Sequence, residues 1–167
     1  NIIAGTGSNC TRTAVETSKK AVEYGVDGLM VVTPYYNKPS QLGLIKHFTE
    51  IANACDVPIM LYNIPGRTAI NLELSTIKEL STLANIVAIK EASGDLDQIK
   101  AVIEQCPNLL VYSGDDALTT DVMKLGGVGV VSVASHCVGV EIKNLIALIN
   151  DGNFTVAERI QASLKPV

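Results

Sequence analysis

Ile86-Val87-Ala88-Ile89-Lys90-Glu91 is a run of four apolar residues closed by two opposite charges. Apolar residues in unbroken succession, without polar alternation, describe a strand buried on both faces, the condition of strands in a parallel sheet. Runs of the same kind stand at Ile2 to Ala4, Gly28 to Thr33 and Ile59 to Asn63 before it, and at Leu109 to Ser113 and Gly129 to Val133 after it. Between them apolar residues recur at helical spacing: Leu42, Ile45, Phe48 and Ile51; Leu74, Ile77 and Leu80; Leu96, Ile99 and Val102; Ile142, Leu145, Ile146 and Ile149. Each set makes one face of an amphipathic helix. Gly25, Pro58, Pro107-Asn108 and Gly126-Gly127 mark the changes of period. The chain is thus an α/β protein of about six strand-plus-helix units of roughly 25 to 28 residues, with no linker dividing it.

Two architectures share this rhythm, the doubly wound open sheet and the (β/α)8 barrel. The first usually announces a nucleotide site. Its nearest candidate here, Gly5-Thr6-Gly7-Ser8-Asn9-Cys10, puts a cysteine where close helix packing wants the third glycine, and no phosphate-binding G-x-x-x-x-G-K-[ST] loop occurs. In the barrel, chemistry sits at the C-terminal ends of strands, and that is where the unusual residues of this chain lie.

Composition narrows the function classes. A chain of 167 residues buries enough surface to fold without disulfides or metal. With a formal net charge of −4 and its Lys and Arg scattered rather than gathered in blocks, it lacks the basic footprint that nucleic acid or an anionic membrane surface requires. The longest apolar runs, such as Ile142 to Ile149, are interrupted by polar residues well short of the ~20 residues that span a bilayer. Cys10, Cys55, Cys106 and Cys137 form no C-x-x-C pair, and His47 and His136 complete no zinc spacing. Reduced, buried thiols, no metal and a cytoplasmic location are expected, the last also because no secretory leader precedes Asn1.

Lys90 shares its strand face with Ile86 and Ala88, because side chains in a strand alternate with period two. Burying an unpaired ammonium favours the neutral amine, the form that attacks a ketone to make a Schiff base. A structural lysine paired with a carboxylate fits the position equally, although the adjacent Glu91 points to the opposite face. Tyr62 ends the Ile59 run and is followed by Asn63-Ile64-Pro65-Gly66-Arg67. Tyr62 suits a proton relay and Arg67 a bidentate grip on a carboxylate; read singly, they are also a half-buried core tyrosine and a solvated loop charge. Taken with Lys90 they supply the amine, proton shuttle and anion clamp of a carbinolamine route. Pro34-Tyr35-Tyr36-Asn37-Lys38-Pro39 reads as a stiff loop suited to an interface or to packing over a barrel rim. Ser113-Gly114-Asp115-Asp116 places Asp115 or Asp116 to cap the next helix, and the neighbours His136 and Cys137 read as packing residues.

Gly5-Thr6-Gly7, Thr33-Pro34-Tyr35-Tyr36-Asn37, Tyr62-Asn63-Ile64-Pro65-Gly66-Arg67-Thr68, Ile89-Lys90-Glu91-Ala92-Ser93-Gly94, Ser113-Gly114-Asp115-Asp116 and Gly129-Val130-Val131-Ser132-Val133 resemble, in order, the motifs of the bacterial dihydrodipicolinate synthase family within the N-acetylneuraminate lyase superfamily of class I aldolases. The resemblance implies a (β/α)8 TIM barrel, here a partial barrel forming one domain over residues 1–167 and incomplete at both ends. It implies a lyase that condenses pyruvate with L-aspartate 4-semialdehyde to 4-hydroxy-tetrahydrodipicolinate, in lysine and diaminopimelate biosynthesis, without a cofactor. Lys90 would carry the imine, Tyr62 would relay protons, and Tyr36 would complete the relay of a neighbouring subunit. Arg67 would hold the semialdehyde carboxylate, with Val131 and Gly114 lining the pyruvate site. The partner is a further copy of the chain, commonly in a tetramer built from dimers. Asn9 and Tyr35 match effector contacts of feedback-inhibited members, whereas Thr13 stands where those members often carry a glutamate. N-acetylneuraminate lyases and 2-keto-3-deoxy-gluconate aldolases resemble the Lys90 and Tyr62 strands but generally lack the arginine. The family's Thr-Thr pair, which completes the relay, belongs to a strand before Ile2 and has no counterpart here, so a catalytically silent partial barrel is the other expectation.

Overall fold

The computed structural model describes residues 1–164. Six strands, β1 (Ile3–Gly5), β2 (Gly28–Val32), β3 (Ile59–Asn63), β4 (Ile86–Glu91), β5 (Leu110–Ser113) and β6 (Gly129–Val130), form one parallel sheet in which strand order equals chain order. Right-handed crossovers between sequential neighbours put every connecting helix on the same side, so the sheet curls with a concave face opposite the helices. A doubly wound sheet would reverse its order at one point; this one does not. The fold is α/β, a curled partial TIM barrel.

The connecting helices are α1 (Thr11–Glu23), α2 (Gln41–Ala54), α3 (Pro65–Thr68), α4 (Leu74–Leu80), α5 (Leu96–Gln105), α6 (Thr119–Lys124) and α7 (Ser135–Asn150), followed by α8 (Phe154–Ser163). Leu44, Ile51, Ile77, Ile99 and Val102 from these helices pack on Leu29, Val31, Leu61, Ile89 and Val111 of the sheet in one buried cluster. Each such side chain taken fully out of water contributes roughly 1.5 to 3 kcal/mol. Starts are fixed locally: the Ser40 hydroxyl accepts from the N–H of Gly43 at 3.2 Å to begin α2, and the Asp95 carboxylate accepts from Asp97 and Gln98, each at 3.0 Å, to begin α5.

Several expectations need correction. The final strand stops at Val130 rather than Val133; Val131 still donates to the Ser113 carbonyl at 2.9 Å, but the chain then turns through Ser132 into α7. Helix α8 buries fully only Ala157 and is absent from the helical faces read from the sequence. Strict alternation fails in β4. The register shifts between Ile59 and Met60, so that Ile59 faces Ile86 while Met60 faces Ala88, and Val87 is the extra residue. Ile86 therefore joins Ile89 on the helix side, while Val87 and Ala88 line the concave face. Lys90 shares its face with Ala88, not with Ile86. Among the cysteines only Cys55 and Cys106 are buried; Cys10, before α1, and Cys137 are exposed, as is His136. The backbone leaves helical geometry at Val138, which sets the first turn of α7 apart from its packed remainder and leaves His136 and Cys137 in solvent.

No described helix is long and apolar enough to cross a membrane. The described residues hold no group of three His, Cys, Asp or Glu side chains placed to bind a metal ion.

Candidate active site

The six strands carry two charged side chains, Lys90 and Glu91, adjacent in sequence and on opposite faces. Lys90 stands opposite Tyr62 of β3 on one side and Tyr112 of β5 on the other. It is 7% exposed, and its Nζ lies 4.2 Å from the centroid of the Tyr62 ring, within reach of the ring's negative face. Among the described residues no carboxylate pairs with it. The structural alternative, an ion pair with Glu91, is ruled out by geometry. The Glu91 carboxylate lies behind the sheet, accepting from Asn63 Nδ2 at 3.1 and 3.2 Å, from the Ser93 N–H at 2.8 Å and from Gln98 Nε2 at 3.4 Å. Burial pushes the Glu91 carboxyl above its ordinary range, against the pull of these donors.

Gly114 leaves room for the Lys90 stem. A Cβ there would fall 2.7 Å from Ala92 Cβ, 3.0 Å from Lys90 Cγ and 3.1 Å from the Glu91 carbonyl, and the Gly114 N–H donates to that carbonyl at 2.7 Å. Gly7 does the same service above β2, where a Cβ would meet Val32 N at 2.6 Å. Within Gly5-Thr6-Gly7 it is thus Gly7 that lets the backbone approach β2 closely, while a Cβ at Gly5 would meet nothing within 4 Å. Gly5, Gly7, Met30, Val32 and Tyr62 line a cavity of about 250 Å³ beside the lysine's strand. Val131 follows the last strand residue, its backbone tied to Ser113.

The other candidates stand apart from this cluster. Arg67 is exposed in α3, a short helix begun by Pro65 and closed by Ala69 at φ +59°. Thr68 anchors that helix: its hydroxyl donates to the carbonyls of Ile64 and Ile70 and accepts from Thr33 at 3.3 Å, joining it to the end of β2. Tyr36 is 88% exposed at φ +76°, a conformation costing a tyrosine roughly 1 to 2 kcal/mol. Asn37 fixes this loop by donating from its side chain to the Asn9 carbonyl at 2.9 Å and from its N–H to Tyr35, so Asn9 and Tyr35 lie on two loops joined by that side chain. Asp115 caps the 3-10 turn at Asp116–Leu118 by accepting from Ala117 at 2.9 Å, and Asp116 accepts from Val133 and Ala134.

Residues absent from the sequence reading of the site are Tyr112, which the register sets beside Lys90, and Asn63, which holds Glu91. Placement of Tyr112 at the same strand depth as Lys90 was the available signal.

The chain is 54% identical over 167 residues to 4-hydroxy-tetrahydrodipicolinate synthase 1 of Halalkalibacterium halodurans, covering 99% of this chain and 57% of that relative's length. It superposes with TM-score 0.94 and 51% identity on the solved structure of the Cyanidioschyzon merolae enzyme with lysine bound, covering 97% of this chain and 56% of that one. The chloride-inhibited dihydrodipicolinate synthase of Acinetobacter baumannii complexed with pyruvate superposes with TM-score 0.93 and 41% identity, covering 96% and 56%. The family model described as the dihydrodipicolinate synthetase family matches residues 1–167, and with the lysine, tyrosine and glycine motifs in place on consecutive strand ends the chain belongs to that family.

Proposed function

We propose that the protein containing this chain condenses pyruvate with L-aspartate 4-semialdehyde through an imine on Lys90. The observation that carries this reading is a buried lysine with no carboxylate partner among the described residues, against a tyrosine ring at a parallel strand end. The Lys90 nitrogen attacks the pyruvate ketone through its lone pair to give a carbinolamine, which loses water to form the imine. Loss of a methyl proton gives the enamine, whose carbon attacks the aldehyde; the new alkoxide takes a proton, and the ketimine is released from Lys90 as the amine of the second substrate closes the ring. Tyr62 moves protons beside the nitrogen, and Val131 and Gly114 border the pyruvate. Arg67, exposed at the entrance, holds the semialdehyde carboxylate, and its guanidinium suits bidentate recognition. The imine itself is the electron sink, so no metal or organic cofactor enters the scheme.

Tyr36 points into solvent and serves this route by reaching a second copy of the chain, as part of a homo-oligomer; Asn9 and Tyr35 lie where an effector would be read. The domain is one barrel completed by segments outside residues 1–167, and the location is cytoplasmic. Borohydride reduction of the complete protein in the presence of pyruvate should leave a mass adduct on Lys90, and none in Lys90→Met. A folded protein giving no adduct sinks the assignment. Turnover of N-acetylneuraminate without turnover of aspartate semialdehyde would move the protein to the lyase branch.

A further inference from the structure

In a parallel ladder, consecutive residues face opposite sides, so the step after Tyr62 and Lys90 is a second pair, Asn63 and Glu91, facing the helices. Asn63 and Glu91 are 0% and 1% exposed. Around them lies a closed polar network. Asn63 donates to Asn71 Oδ1 at 2.7 Å and accepts from the Leu72 N–H at 3.0 Å; Asn71 donates to Gln98 Oε1 at 2.7 Å; Gln98 donates to the Leu72 carbonyl at 3.2 Å. Every recorded partner of the Glu91 side chain is an N–H donor, the set an ionised carboxylate accepts.

Nothing in the imine route calls for this network, yet it joins the chain where β3 and β4 end. Asn63 fixes the segment leaving β3 through Leu72, and Glu91 fixes the turn leaving β4 through Ser93. The Ala92 N–H donates to the Asn63 carbonyl at 2.8 Å, locking the two exits side by side. A buried charge placed here costs desolvation that an apolar residue would not incur.

We propose that Glu91 is a positioning residue for Lys90: its carboxylate, held from behind the sheet by Asn63, Ser93 and Gln98, fixes the end of β4 so that the amine meets Tyr62 and the incoming ketone. The proposal rests on the imine reading for its chemistry. Glu91→Gln keeps shape and volume but turns one acceptor into a donor facing donors. In Asn63→Asp/Glu91→Gln the acceptor and donor exchange strands, and the contact between the two side chains is restored.

The test is borohydride trapping of pyruvate on Lys90 in the complete protein, over a range of pyruvate concentrations, with thermal unfolding recorded for each variant. Glu91→Gln should lower the limiting trapping rate by about 10-fold with little change in half-saturating pyruvate, and the double variant should recover to within about 3-fold of the parent. A folded Glu91→Gln protein with the parent's rate, or a folded double variant no faster than the single one, overturns the proposal. If Glu91→Gln does not fold, Gln98→Met removes one donor to Glu91 and should cost about 3-fold; no loss overturns it. Reductive methylation of Lys90 with formaldehyde, read by mass spectrometry, separates the two claims because it needs no pyruvate. A parent protein that takes no pyruvate refutes the imine reading. The positioning role then stands if Glu91→Gln changes Lys90 methylation and the double variant reverses it, and falls if methylation is unchanged.

Discussion

At the residue scale, Lys90 owes its place to an absence at Gly114. The lysine stem runs where a Cβ on the neighbouring strand end would sit, with Ala92 Cβ and the Glu91 carbonyl also within 3.1 Å of that point. Gly114→Ala must therefore push either the stem or the strand. The expected outcome is a stability loss of about 1 to 3 kcal/mol by chemical denaturation, with imine trapping on Lys90 down about 10-fold. Gly66→Ala, where a Cβ meets nothing within 4 Å, serves as the control with neither effect. The Lys90 strand end was legible as an anomaly from sequence, because an apolar run ending in a cation is rare enough to question. Gly114 was legible only as part of a motif, since nothing local states which side chain will cross above a glycine.

At the element scale, α1 and α2 meet over a buried histidine. His47 is 4% exposed; its Nδ1 lies 2.9 Å from the Thr11 hydroxyl, its ring meets Phe48 edge-on, and its Nε2 is buried without a partner among the described residues. Burial lowers its pKa from 6.5 to about 4. The unfolded chain takes up this proton near 6.5 and the folded one only near 4, so between those values the unfolded state binds more protons. Stability from this group is complete above about pH 6.5 and declines as pH falls toward 4, by a total on the order of 3 kcal/mol. Urea midpoints from pH 7 to 4.5 should show the decline, and His47→Gln should show less of it than the parent. Element types and order followed from the sequence because continuous apolar strands and 3.6-residue helical faces differ in period. What escaped were helix α8, the phase slip at Val87, the early end of β6 and the non-helical residue Val138; the slip depends on how two distant strands meet and does not alter local composition. The slip has a practical side. Because β4 pairs with β3 on either side of it, a deletion at Val87 should leave Lys90 opposite Tyr62.

At the scale of the whole molecule, the concave face is the open one. Ile3 is 53% exposed and Leu110 48%, and β1 and β6 are the sheet's outer strands among the described residues. Apolar side chains beside unpaired strand edges favour association. The 167-residue chain produced by itself should bind a hydrophobic dye such as anilinonaphthalene sulfonate and sediment as species that grow with concentration. Ile3→Lys/Leu110→Lys should reduce both; a strictly monomeric, dye-negative parent chain would contradict this account of the face. The sequential strand order bears on how such a molecule is made. No strand waits for a partner farther along the chain than Leu29 waits for Ile59, so each new strand finds its neighbour already in place as it leaves the ribosome. Folding can keep step with translation, one strand and helix at a time, each strand pairing with the one that left the ribosome just before it.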